Sequence, residues 1–394
     1  MSSQSASKSM FIVLALLVLF SPLGIDIYLP ALPEIGAEFH VEPELVKDTI
    51  TWFMIAMGVG QLFAGPLADS VGRKQVALLG AAVYGVSSVL AWFSSSIEWL
   101  LAARILQGVG ACATSVAAFA SVRDIYGAKN SGKMISYLNG IICFIPAMAP
   151  ILGAWLTQWF GWRANFATMA VFAVVVGGIV MLLMPSSNQP KQAVKLVNVQ
   201  HYKDVLGNSH FLFHATLCLI AMGVILGYVT AAPNLLMGQL GLSMSEFTFW
   251  FTINAVINIA ACFIGPKFLQ SLGAYRTLIL GISLLLFAAV LMGYGASSTQ
   301  PIAFMLPVFI ASTGFALILG AAAGQALAPF GDKAGTASAL LGLFQMTGAG
   351  MLVTLTQGWF GQSSHHMVFL MLLSAPGLII LLTEQGKRWH TKLA

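Results

Sequence analysis

Twelve times along its 394 residues this chain runs for about 20 residues with hardly a charge, the length an α-helix needs to cross a ~30 Å hydrocarbon layer. The runs cover 9–33, 47–67, 75–94, 98–120, 134–156, 164–184, 211–235, 246–265, 276–294, 301–324, 335–357 and 366–383. Lipid offers the backbone no water, so each run must satisfy its own amides and fold as a helix. Hydrophobic residues make up 58% of the chain and charged residues 8%, against about a quarter charged in a water-soluble domain. No aqueous core hides that much apolar surface. The expected fold class is therefore all-α integral membrane, with twelve transmembrane helices. Lys8 and the run Met10 to Phe20 resemble a secretion signal, but no A-x-A-like site follows while further apolar segments do. The run is read as a retained first helix.

With an even number of spans both termini share one side. Fifteen of the 18 Lys and Arg residues fall in loops on that side; Lys47 and Arg163 lie opposite, and Arg104 sits inside a span. The positive-inside rule places both termini in the cytoplasm. The first outer loop is acidic, with Glu34, Glu38, Glu42, Glu44 and Asp48. The longest hydrophilic stretch separates spans six and seven, giving an N-terminal six-helix bundle (1–184), a cytoplasmic linker (185–210) and a C-terminal six-helix bundle (211–394). Gly65-Pro66 with Gly72 recurs as Gly265-Pro266 with Gly273, followed by Arg276. Such an echo implies parallel six-span repeats related by pseudo-twofold symmetry, the architecture of a site midway between two rocking halves. The second copy has no acid matching Asp69. The net charge of +5 is spread over short loops and forms no basic stripe for nucleic acid. Cys112, Cys143, Cys218 and Cys262 stand apart in apolar runs, as small buried hydrophobes do and as disulfide or metal frameworks do not.

An ionisable side chain inside a span costs about 2.5–3.5 kcal/mol on insertion scales and marks a functional candidate. Asp26 and Arg104 are the two. Asp26 sits in Pro22-Leu-Gly-Ile-Asp26-Ile-Tyr28-Leu-Pro30-Ala-Leu-Pro33, where three prolines and a glycine interrupt the helical ladder. A desolvated site disfavours the charged form of a carboxyl, which suits a proton carrier; the alternative is a helix-end hydrogen bond near the outer interface. Arg104 lies roughly 9 Å below the outer end of span four and Asp26 roughly 25 Å above the inner end of span one, at 1.5 Å per residue. At these compatible depths Arg104 holds Asp26 ionised, or it bonds helix carbonyls and fixes packing. A permanently charged Arg is not itself a proton carrier.

The turn Gly65-Pro-Leu-Ala-Asp69-Ser-Val-Gly72-Arg73-Lys74 is expected to end one helix at Gly65-Pro66, reverse at Gly72 and keep Arg73 and Lys74 in the cytoplasm. Asp69 and Arg73, four apart, are placed to pair across one helical turn, as a solvated pair or as a latch. Arg123-Asp124, at the next inner loop, joins that cluster or forms a solvated turn. Asn254 and Asn258 in span eight, with Asn139, Gln325 and Gln345, line a cavity or bond between helices. Tyr28, Tyr137 and Tyr228 either contribute to an adaptable greasy pocket or pack in the core. Gly108-Val-Gly110 fits part of a dinucleotide fingerprint by chance, being inside a span. Gly223-x-x-x-Gly227 and Gly320-x-x-x-Gly324 read as close helix contacts. No ATP-hydrolysing motif or catalytic constellation is present in the sequence, which disfavours an intramembrane enzyme or a sensor.

The turn at Gly65 to Lys74 closely resembles the loop signature of the major facilitator superfamily, G-x-L-a-D-r-x-G-r-K. Leu101-Ala-Ala-Arg104-Ile-Leu-Gln107-Gly108-Val-Gly110 is similar to the fourth-span motif of its drug:proton antiporters. Asn139-Gly140 through Pro146, Pro150 and Gly153 resembles their fifth-span motif, with Ala149-Pro150-Ile-Leu-Gly153-Ala in place of G-P-x-x-G-G. Asp26-Ile-Tyr28-Leu-Pro30-Ala-Leu-Pro33 and Gly335-Thr-Ala-Ser-Ala339 resemble the bicyclomycin and chloramphenicol/florfenicol resistance (Bcr/CflA) branch. The resemblance covers essentially the whole chain. It implies alternating access in a bacterial inner membrane, with amphipathic drugs leaving in exchange for protons. No cofactor is implied beyond the proton motive force; the partners implied are drug-like substrates, protons and the bilayer, with no nucleic acid, for a monomer. Asp26 would be the site of proton and substrate competition and Arg104 its coupling partner. Tyr28, Tyr137, Asn139, Tyr228, Asn254 and Asn258 would line the pocket. Gly65, Asp69, Gly72 and Arg73, with Arg123 and Asp124, would gate the inner side, and the kink at Pro146, Pro150 and Gly153 would limit leak. Some relatives carry a further acid early in span one, where Val13 to Phe20 is entirely apolar here; neutral or singly charged substrates follow. Export of an endogenous metabolite, such as a sugar, an amino acid or a siderophore-like compound, is the alternative.

Overall fold

A computed structural model describes residues 3–185, 199–330, 334–360 and 362–391. Every regular element among them is helical. The chain divides into two compact units, Met1–Asn198 and Val199–Ala394. Of the expected linker, residues 186–198 lie outside the described residues.

In the first unit, span one is built from α1 (Ser3–Val18), α2 (Phe20–Asp26), a 3-10 turn (Leu29–Ala31) and α3 (Leu32–Phe39). Then come α4 (Pro43–Val71), α5 (Arg73–Trp92), α6 (Ile97–Phe160) and α7 (Arg163–Leu183). Drawn straight, the 64 residues of α6 would reach about 96 Å. They do not. Arg163 Nη2, just past its last residue, donates to the Ser94 carbonyl, just before its first, over 3.0 Å. Asp124, near its middle, meets Arg73 at the other end of the unit, 3.1 Å away. So α6 crosses the unit, turns back near Asp124 and returns, providing spans four and five.

The second unit holds α8 (Val199–Leu206), α9 (Ser209–Pro233) with a π-helical extension (Asn234–Gln239), α10 (Met244–Gly295) and α11 (Pro301–Leu327). Next are α12 (Ala334–Leu343), a π-helical turn (Phe344–Gly348), α13 (Ala349–Gln357), α14 (Ser363–Leu372), α15 (Ala375–Leu382) and α16 (Glu384–Thr391). Gly273, with φ 75° and ψ 167°, divides α10 into two passes. Among the described residues ten helical stretches are long and apolar enough to cross a bilayer. The division of α10 and the returning half of α6 bring the passes to twelve.

The expected helix end at Gly65-Pro66 is corrected. Helix α4 runs through Pro66 to Val71, and α10 likewise runs through Pro266. Proline removes one hydrogen bond, a loss that membrane helices absorb through their neighbours. The break falls at Gly72, whose φ of 108° only glycine adopts without strain. Gly273, its counterpart in the echo, breaks α10 in the same manner.

A second repeat emerges from packing. A Cβ on Gly80 would meet the Gly110 carbonyl oxygen at 2.9 Å, and one on Gly110 the Gly80 carbonyl oxygen at 2.8 Å, so α5 and α6 touch backbone to backbone. Gly281 and Gly314 do the same for α10 and α11, at 3.0 and 2.7 Å. The glycines of the chance fingerprint are thus packing residues; Gly108, on α6, abuts the Phe53 carbonyl of α4. Gly223 and Gly227 meet Leu352 and Leu370, but a Cβ on Gly320 or Gly324 would meet no described atom within 4 Å. The close contact expected at that last pair is absent among the described residues, because spacing alone does not say which face of a helix has a neighbour.

Candidate functional site

The break expected in span one is present and has three parts. Leu19, at φ −74° and ψ −18°, joins α1 to α2, α2 lasts seven residues, and Tyr28 leaves helical geometry with φ −104° and ψ 4°. Pro30 and Pro33 then open the 3-10 turn and α3. Asp26 is the last residue of α2 and is 5% exposed. Among the described residues its carboxyl has neither a hydrogen bond nor an ion pair.

Arg104, on the outgoing half of α6, is fully buried. Its guanidinium lies on backbone rather than on Asp26. Nη2 donates to the Gly24 carbonyl over 2.7 Å, Nε to the Thr49 carbonyl over 3.3 Å, and Nη1 to Gln107 Oε1. The planar group also stacks over Tyr28 and Phe53, 4.6 and 4.4 Å from the ring centroids. A broken helix leaves carbonyls without amide donors, and a fork of fixed geometry suits several acceptors at once. Arg104 therefore splints the break. Of the two roles open in the sequence, the geometry occupies the carbonyl-bonding one.

Around the splint lies a shell that the motifs did not announce. Tyr28, fully buried, shares a hydrogen bond of 2.9 Å with Thr49 Oγ1, and Thr49 Oγ1 donates to the Val46 carbonyl. Gln107 Nε2 donates to Ser88 Oγ over 2.7 Å and approaches Met169 Sδ at 3.2 Å; Ser88 Oγ in turn donates to the Tyr84 carbonyl. The returning half of α6 closes the site. A Cβ on Gly153 would land on the Ile27 carbonyl oxygen, so this span lies directly against the break. Pro146 and Pro150 are inside the same helix.

Beyond the break, α3 is pinned by residues far away in sequence. Trp162, 1% exposed, donates Nε1 to Glu38 over 2.5 Å, and Arg163 Nη1 lies 2.7 Å from Glu38 Oε1. Sequence reading placed Glu38 and Arg163 in opposite-charge outer loops without joining them.

At the other end of the unit, Arg73 Nε pairs with Asp124 Oδ2 over 3.1 Å, and Lys74 Nζ donates to the Met181 carbonyl over 2.8 Å. The expected pairing of Asp69 with Arg73 falls on an Asp69 side chain outside the described residues. Gly72 stands between the two, so Asp69 lies in the last turn of α4 while Arg73 begins α5. The side chains of Asp69, Arg123 and Asn139 lie outside the described residues.

In the second unit the candidates make the following contacts. Ser312 Oγ of α11 donates to Asn254 Oδ1 of α10 over 2.8 Å, and Asn258 Oδ1 accepts a weak bond from Cys262 Sγ at 3.4 Å. Tyr228 is buried and stacks on Phe251, with ring centroids 5.5 Å apart. Tyr137 of the first unit is half exposed, edge-on to Phe11.

Residues 14–353 match the Major Facilitator Superfamily. The chain belongs to that superfamily. As a member of the major facilitator superfamily it is a secondary transporter and not an enzyme. It is similar to the multidrug resistance protein MdtL of Salmonella heidelberg (strain SL476), at 32% identity over 93% of this chain and 92% of that protein. Its fold is that of the D-xylose–proton symporter (TM-score 0.80, 17% identity, covering 96% and 98% of the two chains). The xylose transporter XylE from E. coli matches with a TM-score of 0.74 at 15% identity, over 95% and 98% of the chains.

Proposed function

We propose that this transporter exports small amphipathic compounds, neutral or singly positive, in exchange for protons, by alternating access of its two halves. The kinship with proteins named for multidrug resistance supports export of drug-like cargo. Asp26 carries the coupling: a buried carboxyl with no partner among the described residues, at the end of a seven-residue helix just before the break at Tyr28, is free to exchange a proton for cargo. Protonation from the outer side releases the cargo; deprotonation toward the cytoplasm readmits it. Arg104 holds the broken segment in register for that exchange, and Arg73, Asp69 and Asp124 close the inner side. The protein acts in the inner membrane of a bacterium as a monomer with both termini cytoplasmic, driven by the proton motive force alone.

The deciding experiment is Asp26→Asn in proteoliposomes under an imposed pH gradient. The amide keeps shape and polarity but cannot release a proton. Uphill export should be lost while downhill movement of the same compound persists. Uphill export at the wild-type rate would refute the assignment.

A further inference from the structure

Tyr84 is fully buried on α5, and its hydroxyl has no hydrogen-bond partner among the described residues. A buried hydroxyl left unmet is destabilising and uncommon. Phe20 packs edge-on to the Tyr84 ring at 4.8 Å, and the Tyr84 carbonyl accepts bonds from both Ser87 Oγ (2.9 Å) and Ser88 Oγ (2.7 Å). The hydroxyl is aimed at α2: a Cβ built on Gly24 would stand 3.0 Å from it. Gly24 is the residue whose carbonyl Arg104 holds. Hydrogen bonds thus run from Gly24 through Arg104, Gln107 and Ser88 to the Tyr84 carbonyl, and the idle hydroxyl of the same residue faces the Gly24 side of α2.

Helix α2 carries Asp26 and ends just before Tyr28, where span one leaves helical geometry, so it is the piece of span one placed to shift about that bend. Tyr84 lies along it, from Phe20 at its start to Gly24 near its end. We propose that Tyr84 is a positioning residue of the transport cycle, whose hydroxyl takes over the Gly24 carbonyl when α2 shifts and the Arg104 guanidinium releases it. The donor is idle in the arrangement seen here and engaged in the other. The inference rests on the proposed role of Asp26, since it needs α2 to move during transport.

The test is Tyr84→Phe, which removes the hydroxyl and keeps the ring. In proteoliposomes under a pH gradient, KM for export should stay at the wild-type value while the maximal rate falls about fivefold, the worth of one neutral hydrogen bond lost in the moving state. The melting temperature of the purified protein should not fall, since the lost donor was unpaired at rest. A wild-type maximal rate would overturn the inference, as would a melting temperature that drops together with the rate. Asp26→Asn in the same vesicles separates the two readings. If it loses uphill export while Tyr84→Phe is normal, only the Tyr84 inference fails. If it exports uphill like the wild type, the Asp26 reading fails, and Tyr84 is judged on its own maximal rate.

Discussion

Replacing Arg104 by Lys keeps the charge and removes the fork, so it separates an electrostatic role from a splinting one. Arg104 presents Nε, Nη1 and Nη2 to three acceptors on three sides: the Thr49 carbonyl, Gln107 Oε1 and the Gly24 carbonyl. A lysine ammonium at the same place satisfies one and leaves two buried acceptors unmet. Bonds to a charged donor contribute about 1.5–3 kcal/mol each, so the loss is at least about 3 kcal/mol, before any change in the contacts with Tyr28 and Phe53. For a unit of this size each kcal/mol moves the midpoint by about 2–4 °C, which gives a fall of about 6–12 °C. The assay is thermal unfolding in detergent at a fixed scan rate, beside uphill export in vesicles. Both should drop. A variant that melts within about 2 °C of the wild type would show that Arg104 acts through its charge, and the splint would be refuted.

Gly153→Ala should push span five off span one, because the added methyl meets the Ile27 backbone rather than a side chain that can turn away; overpacking against backbone is expected to cost about 3 kcal/mol or more, seen as a lower melting temperature or a lower folded yield, and wild-type behaviour in both would contradict the contact. At α3, Glu38→Ala should cost about 1–2 kcal/mol, chiefly by leaving buried Trp162 Nε1 without an acceptor. Glu38→Gln should be nearly silent in the same melt, since Glu38 and Arg163 are 41% and 34% exposed and a screened pair contributes at most about 1 kcal/mol; equal losses in the two variants would show that the ion pair dominates.

The sequence was most legible where backbone chemistry is local. Prolines at 22, 30 and 33 announced the interruption around Asp26, and Gly72 and Gly273 announced two turns, both at positive φ. It was least legible where the answer depends on azimuth. Counting residues put Asp26 and Arg104 at one depth, but depth does not say which face of a helix a neighbour sees. Gly24 and Asp26 are separated by about 200° around α2, and Arg104 reached the carbonyl of the first rather than the carboxyl of the second. The Gly65-Pro66 stop misled for a different reason, since a single proline is too weak to end a membrane helix that its neighbours support. The contact of Glu38 with Trp162 spans 124 residues, and no local pattern encodes it.

The partners of Arg104 also bear on how the protein is made. Gly24 and Thr49 belong to spans one and two, and Gln107 lies one turn further along the same helix. A ribosome delivers these segments in order. By the time the guanidinium enters the bilayer, two of its three acceptors are already there and the third arrives with it. The most costly side chain to bury is thus met on arrival, without waiting for any segment still to be synthesised. The second unit fills the comparable junction between α10 and α11 with an uncharged bond from Ser312 to Asn254, so its insertion meets no such demand, and the two halves are expected to differ in how strictly their spans must enter in sequence.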